Sequence, residues 1–226
     1  MIGTRRNFRS LLAGIALVGA AGPLASCSAT PGGKPVSELS PEAARVAAAL
    51  QRMPQPSRGE GITRTFFATF HAAGQRTTAS GVLQYYGPRD FRITAATELG
   101  VLLFDGRVDW AGVHVIRHMS GLDEGIVATL ITDLSRAFDM PDDLEGLAAS
   151  NDKMLLKRKR GDGHTTTWTF DRSTGRLMRT DIDMGFLDTL HIEYRAYAAQ
   201  GWPSDLYVQR RARLYDISLT FTKSQS

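Results

Sequence analysis

The chain has 226 residues, 42% of them hydrophobic and 22% charged, with a formal charge of +4 and one cysteine. That length suits one domain or two small ones, and a lone cysteine excludes an internal disulfide. Nucleic acid is not indicated by the charge: Arg5, Arg6 and Arg9 precede Cys27, and taking those three from the 27 basic residues leaves 24 against 23 acids, nearly neutral.

The basic head Thr4-Arg5-Arg6-Asn7-Phe8-Arg9 runs into an apolar stretch from Leu11 to about Gly22. A hydrocarbon core needs roughly 20 apolar residues to cross, so this stretch is too short. Basic head, short apolar segment and small-residue exit are the layout of an export signal. The exit, Leu24-Ala25-Ser26-Cys27, resembles the lipobox of bacterial lipoproteins. The resemblance implies a diacylglycerol on the Cys27 thiol, removal of residues 1–26, and attachment to the membrane through acyl chains, each buried methylene contributing about 0.8 kcal/mol. Thr4 to Phe8 is also similar to the twin-arginine export motif, although paired arginines suit the general secretory route equally. In bacteria that sort lipoproteins, aspartate after the cysteine favours the inner membrane. Ser28 stands there, so the expected location in the cell envelope is the outer membrane, facing the periplasm.

Residues 27–40 read as the lipidated cysteine and a flexible Pro/Gly-rich tether, and residues 41–226 as one domain. Ser40-Pro41-Glu42 is a helix start, with a capping hydroxyl, proline at the first position and an early acid. Ala43, Val46, Leu50 and Met53 give that helix one apolar face, and Pro54 ends it. The pattern then turns to period two. Ile62, Phe66, Ala68 and Phe70 alternate with threonines, and Arg64 falls on the apolar side. Ala79 to Tyr85 and Phe91 to Ala95 alternate likewise. Leu99 to Phe104 and Val108 to Ile116 continue as strands around an Asp105-Gly106 turn. Ile126, Val127, Leu130, Ile131, Leu134 and Phe138 form one helical face between Asp123 and Pro141. A loop from Asp142 to Asp152 leads to strands over 154–160, 164–170, 176–184, 188–197, 205–210 and 212–222. The expected fold class is mainly β with two helices (α+β): roughly ten antiparallel strands in a curved sheet, with the helices in its concave face.

This layout resembles the fold of the lipoprotein-localisation factors LolA and LolB. The words that carry the likeness are the helix over 41–53, Phe66-Phe67-Ala68-Thr69-Phe70, the strand Ala79 to Tyr86 with its early glycine, Phe91-Arg92-Ile93, Leu99-Gly100-Val101-Leu102-Leu103-Phe104, and Trp202-Pro203 before Tyr215 to Leu219. The resemblance implies a half-barrel lidded by helices that holds acyl chains, with a lipid or acylated protein as ligand. The candidate lining is Phe66, Phe70, Leu83, Tyr85, Phe91, Ile93, Leu130 and Leu134. Met184-Gly185-Phe186-Leu187 is a candidate for the protruding apolar loop by which LolB meets the membrane. A structural or assembly role in an envelope complex, without a lipid, is the alternative.

Enzyme chemistry has no foothold in the sequence. There is no Gly-x-Ser-x-Gly elbow and no His-Glu-x-x-His pair. His114 and His118 lack a third metal ligand nearby, and His71, His164 and His191 are scattered. Asp181 and Asp183 read as a solvated strand face. No catalytic residue, metal or cofactor is expected. The run Lys157-Arg158-Lys159-Arg160 is a candidate for anionic headgroups, against the plainer reading of a solvated hairpin end. The oligomeric state stays open.

Overall fold

The computed structural model describes residues 40–222 apart from 54, 55, 57–60, 73, 162, 213 and 214. The expected export signal, Cys27 and the expected tether lie outside the described residues. Two helices and twelve strands follow in the order α1 (Pro41–Gln51), β1 (Ile62–Ala72), β2 (Gln75–Gly87), β3 (Asp90–Ala96), β4 (Leu102–Asp109), β5 (Gly112–His118), α2 (Glu124–Arg136), β6 (Ala148–Ser150), β7 (Lys153–Lys159), β8 (Thr165–Asp171), β9 (Leu177–Asp183), β10 (Thr189–Tyr197), β11 (Pro203–Arg210) and β12 (Tyr215–Phe221). Both helices start on caps visible in the sequence. The Ala43 amide donates to Ser40 Oγ at 3.2 Å, and the Ile126 amide to Asp123 Oδ1 at 3.0 Å.

All twelve strands form one antiparallel sheet, ordered β5-β4-β3-β2-β1-β12-β11-β10-β9-β8-β7-β6. Its curvature follows from one carboxylate. Asp139 is reached by Arg89, in the β2–β3 turn, at 3.4 Å, and by Arg160, just beyond β7, at 2.5 Å. Strands β2 and β7 are seven positions apart in the order. At about 4.8 Å per strand that is roughly 34 Å in a flat sheet, so the sheet must curl to bring both arginines to one acid. The apolar face lies inside the curl as a single buried cluster with contributions from both helices. The fold is thus a half-barrel with helices in its concavity, as the sequence leads one to expect.

Three local expectations need correction. Asp105-Gly106 is not a turn but the middle of β4; the turn follows Asp109. The pair sits inside a strand because tertiary partners take it up. Arg92 donates to both Asp105 oxygens, at 2.9 and 2.7 Å. A Cβ on Gly106 would meet Ile131 Cδ1 of α2 at 2.2 Å, so the glycine makes room for the helix. Leu99 to Val101 is a turn rather than the start of a strand, with Gly100 at φ +78°. The expected loop over 142–152 contains the edge strand β6, paired with β7.

Candidate functional site

Strand alternation carries the concave face. On β1, Arg64, Phe66 and Ala68 are buried and Phe70 is half-buried; Phe66 lies opposite Gly81 of β2, whose missing side chain leaves the space its ring fills. Leu83, Tyr85, Phe91 and Ile93 are buried on the next two strands. Leu134 is buried on α2, and Leu130 packs partly buried beside it. All eight proposed lining residues therefore stand in one apolar cluster. At its base Tyr85, Phe91, Phe138 and Trp202 meet ring to ring, with centroids 5.1 to 5.9 Å apart. Burial pushes the Tyr85 hydroxyl up to about 12.

Two helices close the concavity in different ways. α1 seats its backbone on two glycine turns: a Cβ on Gly175 would lie 2.4 Å from Arg45 O, and one on Gly201 2.5 Å from Arg52 O. Both glycines have positive φ, +72° and +82°. Only Ala43 and Val46 of α1 are buried. α2 adds a polar clasp to its apolar face. Asp133, fully buried on this helix, accepts from Arg210 Nη1 at 2.9 Å, from the Tyr215 hydroxyl and from Arg136 at 3.5 Å, while Arg210 Nη2 also meets Asp188 at 2.7 Å. Burial and the Asp133 carboxylate raise the Tyr215 hydroxyl far above its ordinary range, and the two acids hold Arg210 in its charged form. Just past α2, the Tyr194 hydroxyl donates to Ala137 O at 2.8 Å. Sequence patterning does not reveal this clasp. Its only local signals are an aspartate beside the apolar stripe of α2 and an arginine and tyrosine at inward positions of β11 and β12.

The basic run does not form one patch. Lys157 and Lys159 point out of the sheet, while Arg158 and Arg160 point the other way, onto Asp143 and Asp139. His114 pairs with Asp109 at 3.1 Å, and His118 Nδ1 lies against Met119 O at 3.2 Å. Asp181 stands between Arg179 at 2.7 Å and His191 at 2.5 Å, and Asp183 accepts from the Gly185 amide at 3.0 Å. Among the described residues no group of three or more metal-ligating side chains occurs, and no described helix is long and apolar enough to cross a membrane. A polar cleft of about 370 Å³ lies beside α1, lined by Glu42, Arg45, Asp152, Asp171, Arg172 and Ser173. Arg172 and Arg45 reach Glu42 at 3.3 and 3.8 Å, so the cleft's charges tie α1 to the β8–β9 turn.

Two turns at one end of the sheet carry exposed apolar side chains. The antiparallel order puts the β3–β4 and β9–β10 turns at the same end. Leu99 in the first is 93% exposed; Phe186 and Leu187 in the second are 100% and 89% exposed. Gly185, Phe186 and Leu187 all have positive φ, +81°, +36° and +66°, a backbone that costs free energy for phenylalanine and leucine.

No family model matches the chain, and no curated protein does. Two solved structures are similar to it in fold. It is similar to a LolA superfamily protein from Nitrosomonas europaea at 8% identity and a TM-score of 0.49, covering 81% of this chain and 93% of that one. It is similar to a DUF1329 family protein from Desulfovibrio piger at 12% identity and a TM-score of 0.49, covering 82% and 92%. Likeness of this degree carries no inference about what the chain binds.

Proposed function

We propose that the chain is a lipoprotein held at the outer membrane through Cys27, and that it binds or hands on an apolar or acylated ligand in the concavity of its half-barrel. The observation that supports this best is how the concave face is closed. A second sheet would bury that face permanently. Here two short helices cover it, one with two buried side chains and the other fixed in part by the Asp133–Arg210–Tyr215 clasp. Polar contacts can be exchanged for water at modest net cost, so the clasp does not by itself lock the cover, and α1 buries only two side chains against opening. The exposed Leu99, Phe186 and Leu187 at one end of the sheet fit contact with a bilayer, and Phe186 and Leu187 hold a positive-φ backbone that keeps them out in solvent.

The test is extraction of the chain purified from bacterial envelopes, followed by mass spectrometry. A stoichiometric lipid or acyl species, with a diacylglyceryl mass on Cys27, is the expected result. An empty chain that also fails to take up an acyl probe overturns the binding role. An unmodified Cys27 in a membrane-free chain overturns the anchor.

A further inference from the structure

Arg64 is the one strongly polar side chain that β1 turns into the apolar face. It is 6% exposed, and its Nε is buried with no hydrogen-bond partner. Among the described residues no carboxylate pairs with it. The β1–β2 register runs through Arg64↔Leu83 without a break, so no bulge turns the side chain outward. Its contact is with Trp202, whose ring centre lies 5.9 Å from the guanidinium carbon. Trp202 is 2% exposed and its Nε1–H is buried and unpaired too. Two N–H donors, Arg64 Nε on a permanently charged guanidinium and Trp202 Nε1, are thus buried in one contact pair without an acceptor. A cation–π contact offsets only part of the desolvation of a buried charge, and buried donors in folded proteins are nearly always paired.

From this we infer that Arg64 and Trp202 form a headgroup site for an anionic amphiphile. Its carboxylate or phosphate lies between the two donors and its chain runs over Phe66, Leu83 and Tyr85. Each donor takes an oxygen about 2.9 Å away, and an acid head with two or three oxygens can serve both. The apolar side of the site is continuous with the core through Tyr85, whose ring meets Trp202 at 5.1 Å. The door is α1, because Arg52 at its end packs on Gly201, the neighbour of Trp202, and the helix buries little else. This assignment rests on the apolar-ligand reading above and adds to it the sign and place of the head.

The experiment measures dissociation constants of palmitate, a lysophosphatidate of equal chain length, hexadecanol and inorganic phosphate, using the full chain and its Arg64→Met, Arg64→Lys and Trp202→Phe variants, with thermal melts as a check of folding. The wild type should bind one or both acidic amphiphiles at least tenfold tighter than hexadecanol; which of them does so identifies the head as carboxylate or phosphate. Arg64→Met should remove that preference, Arg64→Lys should restore part of it, and Trp202→Phe, which keeps the ring and loses only the donor, should reduce it several-fold. Equal binding of acids and alcohol by the wild type, or a preference that survives Arg64→Met, overturns the headgroup site while hexadecanol binding upholds the apolar-ligand reading. Failure of all three amphiphiles overturns both, and inorganic phosphate binding as tightly as the lysophosphatidate overturns the amphiphile. Should Arg64→Met fail to fold, an undiminished preference in Trp202→Phe counts against the site.

Discussion

Replacing Asp133 with alanine removes the acceptor that α2 presents to β11 and β12. Arg210 loses two contacts, at 3.1 and 2.9 Å, the Tyr215 hydroxyl loses its carboxylate, and Arg136 loses a partner at 3.5 Å. Breaking a buried ion pair from one side costs about 3–5 kcal/mol. Arg210 keeps Asp188, at 2.7 and 3.1 Å, so the lower end, about 3 kcal/mol, is expected. For a domain of this size each kcal/mol lowers the melting temperature by roughly 2–4 °C, a fall of roughly 6–12 °C. Calorimetry reads the size of the effect, and hydrogen exchange reads its place. Amides over Glu124 to Arg136 should lose protection before those of β8 to β10, because the clasp holds the helix and not the sheet. A melting point within about 1 °C of wild type, or protection lost evenly across all strands, would refute the reasoning.

Other outcomes follow from the same geometry. Gly175→Ala and Gly201→Ala should each destabilise by about 1–3 kcal/mol in chemical denaturation, since a Cβ strains a positive-φ backbone and meets the α1 backbone. Stability should fall as the pH rises from about 10 toward 12. The unfolded chain releases tyrosine protons near pH 10, while burial holds Tyr85 protonated up to about 12, so the folded state binds more protons in that window and loses about 1.4 kcal/mol per pH unit for such a tyrosine; Tyr85→Phe should reduce the slope by that one share, the other buried tyrosines keeping the rest. Phe186→Asn with Leu187→Asn, in a Cys27→Ser background, should abolish co-sedimentation with phosphatidylethanolamine–phosphatidylglycerol vesicles. The melting point should be kept or raised, because asparagine tolerates positive φ better than phenylalanine or leucine.

Much of this architecture is legible from local chemistry. Ser40-Pro41 and Asp123 announce the two helices because capping is a short-range interaction, and period-two runs put Phe66, Leu83, Phe91 and Ile93 on one face because side chains alternate along any strand. The same alternation divides the basic run, with Lys157 and Lys159 on one face of β7 and Arg158 and Arg160 on the other. What stays hidden depends on partners distant in the chain. Asp105-Gly106 has the local chemistry of a turn, and its partners on β3 and β5, with Arg92 and Thr94 on the carboxylate and Ile131 above the glycine, keep it in a strand. The three residues of β6 carry too short a pattern to distinguish from a loop. The clasp joins residues 77 and 82 positions apart, which no window of sequence contains. Arg64 is visible in the sequence as an arginine on an apolar face; that nothing among the described residues pairs with it is a fact of three dimensions.

The central claim is that the concave face of the half-barrel is a binding surface and not only a core. Methyl resonances of Leu83, Ile93, Leu130 and Leu134, recorded while an acylated peptide is added to the full chain, test it most directly. The account predicts saturable shifts at these inward-facing methyls, together with faster exchange across α1. Shifts confined to Leu99 and Leu187 on the exposed rim, with the four interior methyls unmoved at saturation, would contradict it.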